Sequence, residues 1–420
     1  MVMLGMKLGG DVPFRKVYLH PMIRDAHGRK MSKSLGNVVD PLEVINGISL
    51  EDLQKRLEEG NLDSSELSRA KDVQKRDFPD GIPECGADAL RFALVSYTAQ
   101  SDKINLDIKR VVGYRQWCNK LWNAIRFSMS KLGDDFSPPA SINVNLISFS
   151  CQWILSVLNK AVAKTVSSLE ASEFSDAATA VYSWWQFQLC DVFIEVIKPY
   201  FSSNEESFAS AREELWQRLP QPKDVKRKES IVISEYPSVI QSWTNESVER
   251  DMELIESAVK SLRGLKSLLP AKERHEKRPA FAVCLNEEDA DNIRSHELEI
   301  LTLAGLSSLK IVNENDAALA GCSLYVVNAY LHVHLKLKGT INAEVEREKL
   351  RKKMEETKRQ KESLEKMMDA SGYNEKVRPQ IYEEKMEKLT KLMQEVLSLE
   401  KATEHLEKDI AAQAAMEKKN

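Results

Sequence analysis

No two of the six cysteines in this 420-residue chain are spaced as Cys-x-x-Cys; Cys85, Cys118, Cys151, Cys190, Cys284 and Cys322 stand singly. That spacing argues against a zinc ribbon and a disulfide framework and suits reduced, mostly buried thiols, with no metal site expected. Long apolar runs are also missing. The longest, such as Val192–Ile197 and Tyr325–Val327, fall far short of the roughly 20 residues that cross a bilayer. Met1–Phe14 has neither the apolar core of a signal peptide nor the Arg/Ser-rich pattern of a transit peptide. The expected location is therefore the cytoplasm, with an organelle open if an upstream targeting segment is missing. There is no excess of positive charge: the net charge is −4, so a nucleic-acid partner would have to meet local basic surfaces. What is present, 42% hydrophobic and 30% charged residues, describes a soluble chain of two to four folded domains.

Composition separates four regions, and helical spacing dominates, so the expected class is mainly α and multi-domain. Residues 1–107 open with a β-like run, Phe14–His20, then a Gly/Lys/Ser-rich loop, then helical material. Residues 108–270 carry apolar stripes at helical spacing. Trp117, Leu121, Ala124, Ile125 and Ser128 form one, and Trp184, Phe187, Cys190, Asp191 and Ile194 another. Trp184 and Trp185 are expected to pack in this bundle on opposite sides of one helix. Residues 279–340 read as a small α/β unit. Ala280–Leu285, Ser323–Val327 and His332–Leu337 look like strands, and Glu287–Leu303 like a helix. His332 and His334 alternate on a polar strand face and are expected to be a surface pair. From 342 to 412 aromatics nearly vanish and Leu389, Leu392, Val396, Leu399, Thr403 and Leu406 step by three and four, a coiled-coil seam. Leu350, Met354, Lys361, Leu364 and Met368 give a weaker version, and Gly372 and Pro379 break the two apart, which predicts an antiparallel coiled-coil hairpin.

The stretch Arg24–Asn37 carries the chemistry. Arg29, Lys30 and Lys33 put three cations within five residues, beside Ser32, Ser34, Gly28 and Gly36. Small residues let backbone N–H groups approach an anion, and lysine supplies mobile point charges. The equipment suits a polyphosphate whose charge is redistributed in a transition state; a solvated basic loop is the bland alternative.

Lys30–Met31–Ser32–Lys33–Ser34 is the unaltered KMSKS motif, and on it the chain resembles the class I aminoacyl-tRNA synthetases. Gly36–Pro41 is similar to the extension seen in the valine and isoleucine members. Ile104–Asp107 with Gly113–Ala124 looks specifically like the valine–tRNA ligases at the start of their anticodon-binding bundle. Gly86–Phe92 is similar to the helix that leaves the catalytic core. The resemblance implies the C-terminal portion of such an enzyme: a Rossmann-core remnant with the KMSKS loop, a helical anticodon-binding bundle, a small α/β unit and the coiled-coil hairpin. It implies ATP-dependent activation of valine, with Mg²⁺, and transfer to its tRNA by a monomer. Lys30, Met31, Ser32, Lys33 and Ser34 would bind ATP; Lys33 would neutralise the departing pyrophosphate, and Lys30 would assist. Lys349, Arg351, Lys352 and Lys353 on the first hairpin arm would reach tRNA phosphates, or else form a solvated face laced with ion pairs. His20 and His27 flank the loop and could touch ATP or tRNA, or simply pack there.

Two departures from the family pattern stand out. No His-x-Gly-His motif and no editing domain occur, so the chain alone is expected to be inactive. Ser210–Arg212 runs straight into Glu213–Pro220, where a segment near 212 is expected to be missing from the bundle. A non-catalytic tRNA-binding fragment and an isoleucine–tRNA ligase are the alternatives.

Overall fold

The computed structural model describes residues 1–99, 103–132, 147–201, 236–267, 269–314, 316–319, 321–328, 330–336 and 343–368. Beyond these it describes 382, 385–386, 388–390, 392–393, 396–397, 399–400, 403–404 and 407. It is rich in helix and divides into two compact units, Met1–Ile194 with Tyr200–Thr244, and Glu195–Pro199 with Asn245–Asn420. Among the described residues no helix is long and apolar enough to cross a membrane.

The first unit is built on two parallel strands, β1 (Met22–Asp25) and β2 (Lys103–Leu106), in the register Met22↔Lys103 to Asp25↔Leu106. The β-like run Phe14–His20 forms no strand. Between the strands lie four helices, α1 (Pro41–Asn46), α2 (Leu50–Glu58), α3 (Ser64–Asp77) and α4 (Ala87–Ser96). The start of α1 follows from three residues. Asp40 accepts from the Leu42 N–H at 2.8 Å, Pro41 occupies the first turn, and Glu43 accepts from the Asp40 N–H at 3.3 Å. Val44, Leu53, Ile82, Ala89, Ala93, Ile104 and Val111 form the core of this part, and Met31 packs against it from the loop.

The bundle continues with α5 (Ile108–Leu132), α6 (Phe149–Glu170) and α7 (Phe174–Ser183). Phe92 of α4 lies 4.5 Å from Trp117 of α5, which stacks on Tyr182 of α7 at 5.3 Å. Of the stripe read on α5, Trp117 and Ala124 are buried but Ile125 is exposed. Trp184–Phe193 is a π-helix, whose longer turn breaks the 3.6-residue spacing assumed for the second stripe. Phe187 is accordingly exposed. Trp184 and Trp185 do not stand on opposite sides; their rings meet edge to face at 5.4 Å. The segment near 212 lies outside the described residues.

In the second unit a four-stranded sheet runs in the order β4–β3–β6–β5, with β3 (Arg278–Cys284), β4 (Leu306–Ile311), β5 (Cys322–Val326) and β6 (Leu331–Lys336). β3 pairs parallel with β4 and antiparallel with β6. Helix α8 (Glu246–Ser267), which sequence spacing grouped with the bundle, packs on β5 and β6 instead. The expected helix Glu287–Leu303 is two, α9 (Glu287–Ser295) and α10 (Glu297–Ala304), interrupted at His296. His332 and His334 are not a surface pair: they are 5% and 4% exposed. They stand opposite Val283 and Phe281, on a face that Leu319 and its neighbours cover. Helix α11 (Ala343–Met368) follows, with Leu364 buried. Leu392 and Leu399 are buried, and Leu389, Val396 and Thr403 half-buried, whereas Met386, Met393 and Leu397 are exposed. Lys358 pairs with Glu400 at 2.7 Å.

Ser172, between α6 and α7, is the one described non-glycine residue in the left-handed region, at φ 63°. Glycine escapes the Cβ clash there. Ser172→Gly should stabilise the bundle by about 1 kcal/mol, read as a higher midpoint in thermal unfolding. A lower midpoint would mean that the serine makes a contact outweighing its strain.

Candidate functional site

The loop that follows β1 is built around a buried carboxylate. Asp25, 6% exposed, ends the strand. Its Oδ1 accepts from the N–H groups of His27 at 3.1 Å and Arg29 at 2.7 Å, and its Oδ2 from Arg29 Nε at 2.6 Å and Asn37 Nδ2 at 2.9 Å. The chain reverses through Gly28, whose N–H donates to the Asp25 carbonyl at 2.9 Å; Arg24 Nη1 donates to the Gly28 carbonyl at 3.0 Å. Burial pushes the Asp25 carboxyl up, but hydrogen bonds from Asn37 and Arg29, with the Arg29 charge, outweigh it and hold the group below its ordinary value.

Asn37, 3% exposed, clamps the loop from within. Besides reaching Asp25, its Nδ2 donates to the Lys30 carbonyl at 3.2 Å, and its Oδ1 accepts from the Ser32 N–H at 2.9 Å. A carboxamide alone offers donors and an acceptor on one planar group, which explains why this position suits asparagine. The clamp fixes the backbone at Lys30 and Ser32, while Met31 turns into the core.

Helix α3 seats both ends of the loop. Arg29 Nη2 donates to Asp77 Oδ2 at 2.8 Å, and His27 Nε2 lies 3.3 Å from Asp77 Oδ1. Burial raises the Asp77 carboxyl, but hydrogen bonds from Arg76, Arg29 and His27 bring it below its ordinary value. At the other end Gly36 has φ 67°, and a Cβ there would stand 2.6 Å from the Ala70 Cβ and 2.8 Å from its backbone. Only glycine fits against this helix.

Of the residues singled out by motif, Lys30 and Ser34 are exposed and Met31 and Ser32 half-buried on one loop. Lys33 opens a short 3-10 turn, Lys33–Leu35, and its side chain lies outside the described residues. Asp25 and Asn37 fall inside the motif-bearing stretch but have no signature of their own. Asp77 stands 48 residues from Arg29, and nothing in the sequence signals their pairing. His20 Nδ1 lies 3.0 Å from the Pro21 carbonyl. On α11, Arg351 is bonded to Glu348 at 3.0 and 2.9 Å, and Lys352 lies 3.6 Å from the same carboxylate. The side chains of Lys349 and Lys353 lie outside the described residues. Exposed pairs of this kind contribute little to stability and leave the cations available to an anion.

The family of class I tRNA synthetases (I, L, M and V) matches residues 1–107, and the anticodon-binding domain of tRNA ligase matches residues 151–213. Among curated proteins, the chain is 58% identical to the valine–tRNA ligase, mitochondrial 1, of Arabidopsis thaliana, over 97% of the chain and 39% of that protein. It is 37% identical to the valine–tRNA ligase of Takifugu rubripes, over 97% of the chain and 36% of the relative. With the mitochondrial valine–tRNA ligase of Saccharomyces cerevisiae it shares 35%, over 97% of the chain and 39% of the relative. The chain thus spans less than two fifths of the length of these curated relatives.

Asp25 has a folded value below its unfolded one, so it stabilises the loop above the unfolded value near 3.8, and the contribution is lost as pH falls through the folded value. Asn37→Ala removes the strongest influence that lowers it. The acid loosening of the loop should then begin at higher pH than in the unaltered chain. Hydrogen exchange of the Ser32 and Arg29 amides between pH 5 and 3 is the measurement; coincident profiles for the two proteins would refute the clamp.

Proposed function

The chain belongs to the valine–tRNA ligase family of class I aminoacyl-tRNA synthetases, and we propose that it supplies the phosphate-handling loop and the tRNA-binding regions of valine activation and transfer. The observation that carries this reading is the clamp of Asp25 and Asn37, which are bonded to each other and hold the backbone of a cation-bearing loop by three side-chain hydrogen bonds, at Arg29, Lys30 and Ser32. Loops that only need to be soluble have no use for a buried, fully bonded carboxylate at their base.

In the proposed step the valine carboxylate attacks the α-phosphate of ATP, the bond from that phosphorus to the β-phosphate oxygen breaks, and pyrophosphate leaves. Negative charge grows on the leaving group. Lys33 and Lys30, set on the clamped segment, neutralise it, and the Ser32 and Ser34 region follows the phosphates as the loop closes. Positioning and charge stabilisation are the whole of the protein's contribution. Asp25 and Asp77 are already engaged by Arg29, and no group of three carboxylate, His or Cys ligands exists among the described residues. These residues do not fit a protein-held metal, so Mg²⁺ would arrive bound to the substrate's own phosphates.

Residues 1–107 are read as the end of the catalytic domain, the following helices as the anticodon-binding bundle, and the residues from 342 onward as an antiparallel coiled-coil arm for tRNA. The buried seam leucines and the Lys358–Glu400 pair support the arm. Two relatives with mitochondrial names favour an organelle over the cytoplasm as the site of action.

In the protein that contains this chain, Lys33→Ala should slow valine-dependent pyrophosphate exchange by about 10²–10³-fold with little change in valine affinity. A raised valine KM with an unaltered rate would make Lys33 a ground-state contact and sink its assigned role. Gly36→Ala should mimic the loss in part, because the added methyl must push the loop off Ala70. Retained tRNA binding without any exchange activity would favour the non-catalytic reading instead.

A further inference from the structure

The α/β unit holds a concentration of positive charge that neither the loop nor the C-terminal helices account for. From Lys260 to Arg278 the sequence carries seven Lys or Arg residues against two acidic ones, Glu273 and Glu276, in a chain of net charge −4. The structure sorts them by what they touch. Arg263 Nε donates to the Leu303 carbonyl at 2.9 Å and Lys266 Nζ to the Gly305 carbonyl at 2.9 Å. Both therefore cap the C-terminal end of α10, where cations are favoured. Arg278 is 8% exposed and gives its Nη2 to Glu273 at 2.5 Å and Glu276 at 3.0 Å. The two carboxylates of the stretch thus face a buried partner.

Lys260, Lys272, Arg274 and Lys277 remain. All four are exposed, and among the described residues none forms an ion pair. Arg274 is held by a bond from its Nε to the Leu269 carbonyl at 2.8 Å. His275 is exposed beside them. Lys277 stands near enough to Lys266 for their charges to oppose one another. Lys266 gives up its proton more readily than an ordinary lysine, first because burial strips its water, then because Arg263, Arg278 and Lys277 stand near. Like charges crowded on an exposed turn destabilise the fold unless an anion joins them. The turn also exposes no large apolar side chain, so a peptide would find nothing there to anchor a hydrophobic residue.

We propose that the turn Pro270–Lys277 is a docking surface for the sugar–phosphate backbone of structured RNA. The proposal rests on the tRNA-binding reading above and adds to it a contact separate from the bundle and from the cations of α11. Lysines on a turn present movable point charges, so recognition would follow backbone shape rather than base sequence.

The test compares the full chain with a Lys272→Ala, Arg274→Ala, Lys277→Ala variant, and with an Arg351→Ala, Lys352→Ala variant, for binding of the valine-accepting tRNA across a salt series. The three altered side chains are exposed, and an unchanged thermal midpoint would verify the fold. Each lost phosphate contact flattens the salt dependence by about 0.9, so the triple variant should lose about 2–3 from the slope and tenfold or more in affinity. Affinity and slope equal to those of the unaltered chain, with the Arg351 and Lys352 variant weakened, would overturn this surface and leave the tRNA reading standing. If the unaltered chain bound no tRNA even at low salt, both would fall. Displacement of tRNA by polyglutamate at equal charge concentration would overturn the assignment to RNA and point to an acidic protein.

Discussion

The carboxylate of Asp25 joins a strand, a loop and, through Arg29, a helix. A carboxylate buried without partners would be expensive, and removing one member of a buried pair usually costs more than the pair contributes. Here each oxygen takes two donors, from His27 and Arg29 on one side and Arg29 and Asn37 on the other. Desolvation is thereby outweighed, and the group stays charged. The consequences pass outward: Arg29 is turned toward Asp77, Asn37 is oriented for Ser32 and Lys30, and Met31 is left to enter the core. Arg29 is drawn into this bonded interior, and Lys30 beside it is left exposed.

Contiguous patterns were legible from the residues alone. Lys30–Ser34 needed no tertiary knowledge. Among the described residues, the seam positions from Leu389 to Thr403 are buried or half-buried, and the off-seam Met386, Met393 and Leu397 are exposed. What escaped depends on distant partners. Phe14–His20 has the composition of a strand, yet the strand is Met22–Asp25, because it is there that Lys103–Leu106 aligns. Alternation at His332 and His334 told which residues share a sheet face, but not that Leu319 and Ala318 close over that face. The π-helix defeats any stripe drawn at 3.6 residues per turn. Asp77 is a single acidic residue among many until Arg29 reaches it.

Charge is distributed by the same logic of partners. In the first unit the loop cation Arg29 is tied between two carboxylates, so its role is structural, and Lys30 beside it is left exposed. In the second unit Arg263, Lys266 and Arg278 are tied to carbonyls and carboxylates, whereas Lys272, Arg274 and Lys277 beside them form no ion pair among the described residues. An overall negative chain can thus present positive surfaces to an anion without being basic itself.

The seating of the loop also limits how it can move. Its first turn is bonded to Asp25 and Asp77, and its last glycine lies against Ala70, where even a methyl group would collide. A closure that preserved both seats would have to change backbone angles between Met31 and Leu35, where Asn37 bonds the Ser32 N–H and Leu35 donates to the Ser32 carbonyl at 3.2 Å. Breaking those two bonds is a small cost, about 0.5–1.5 kcal/mol each, which new bonds to phosphate oxygens could replace. Breaking the Asp25 cluster would uncover a buried charge and cost several times more. A closing motion of this loop would therefore be confined to the segment from Met31 to Leu35, and the Asp25 cluster would stay in place.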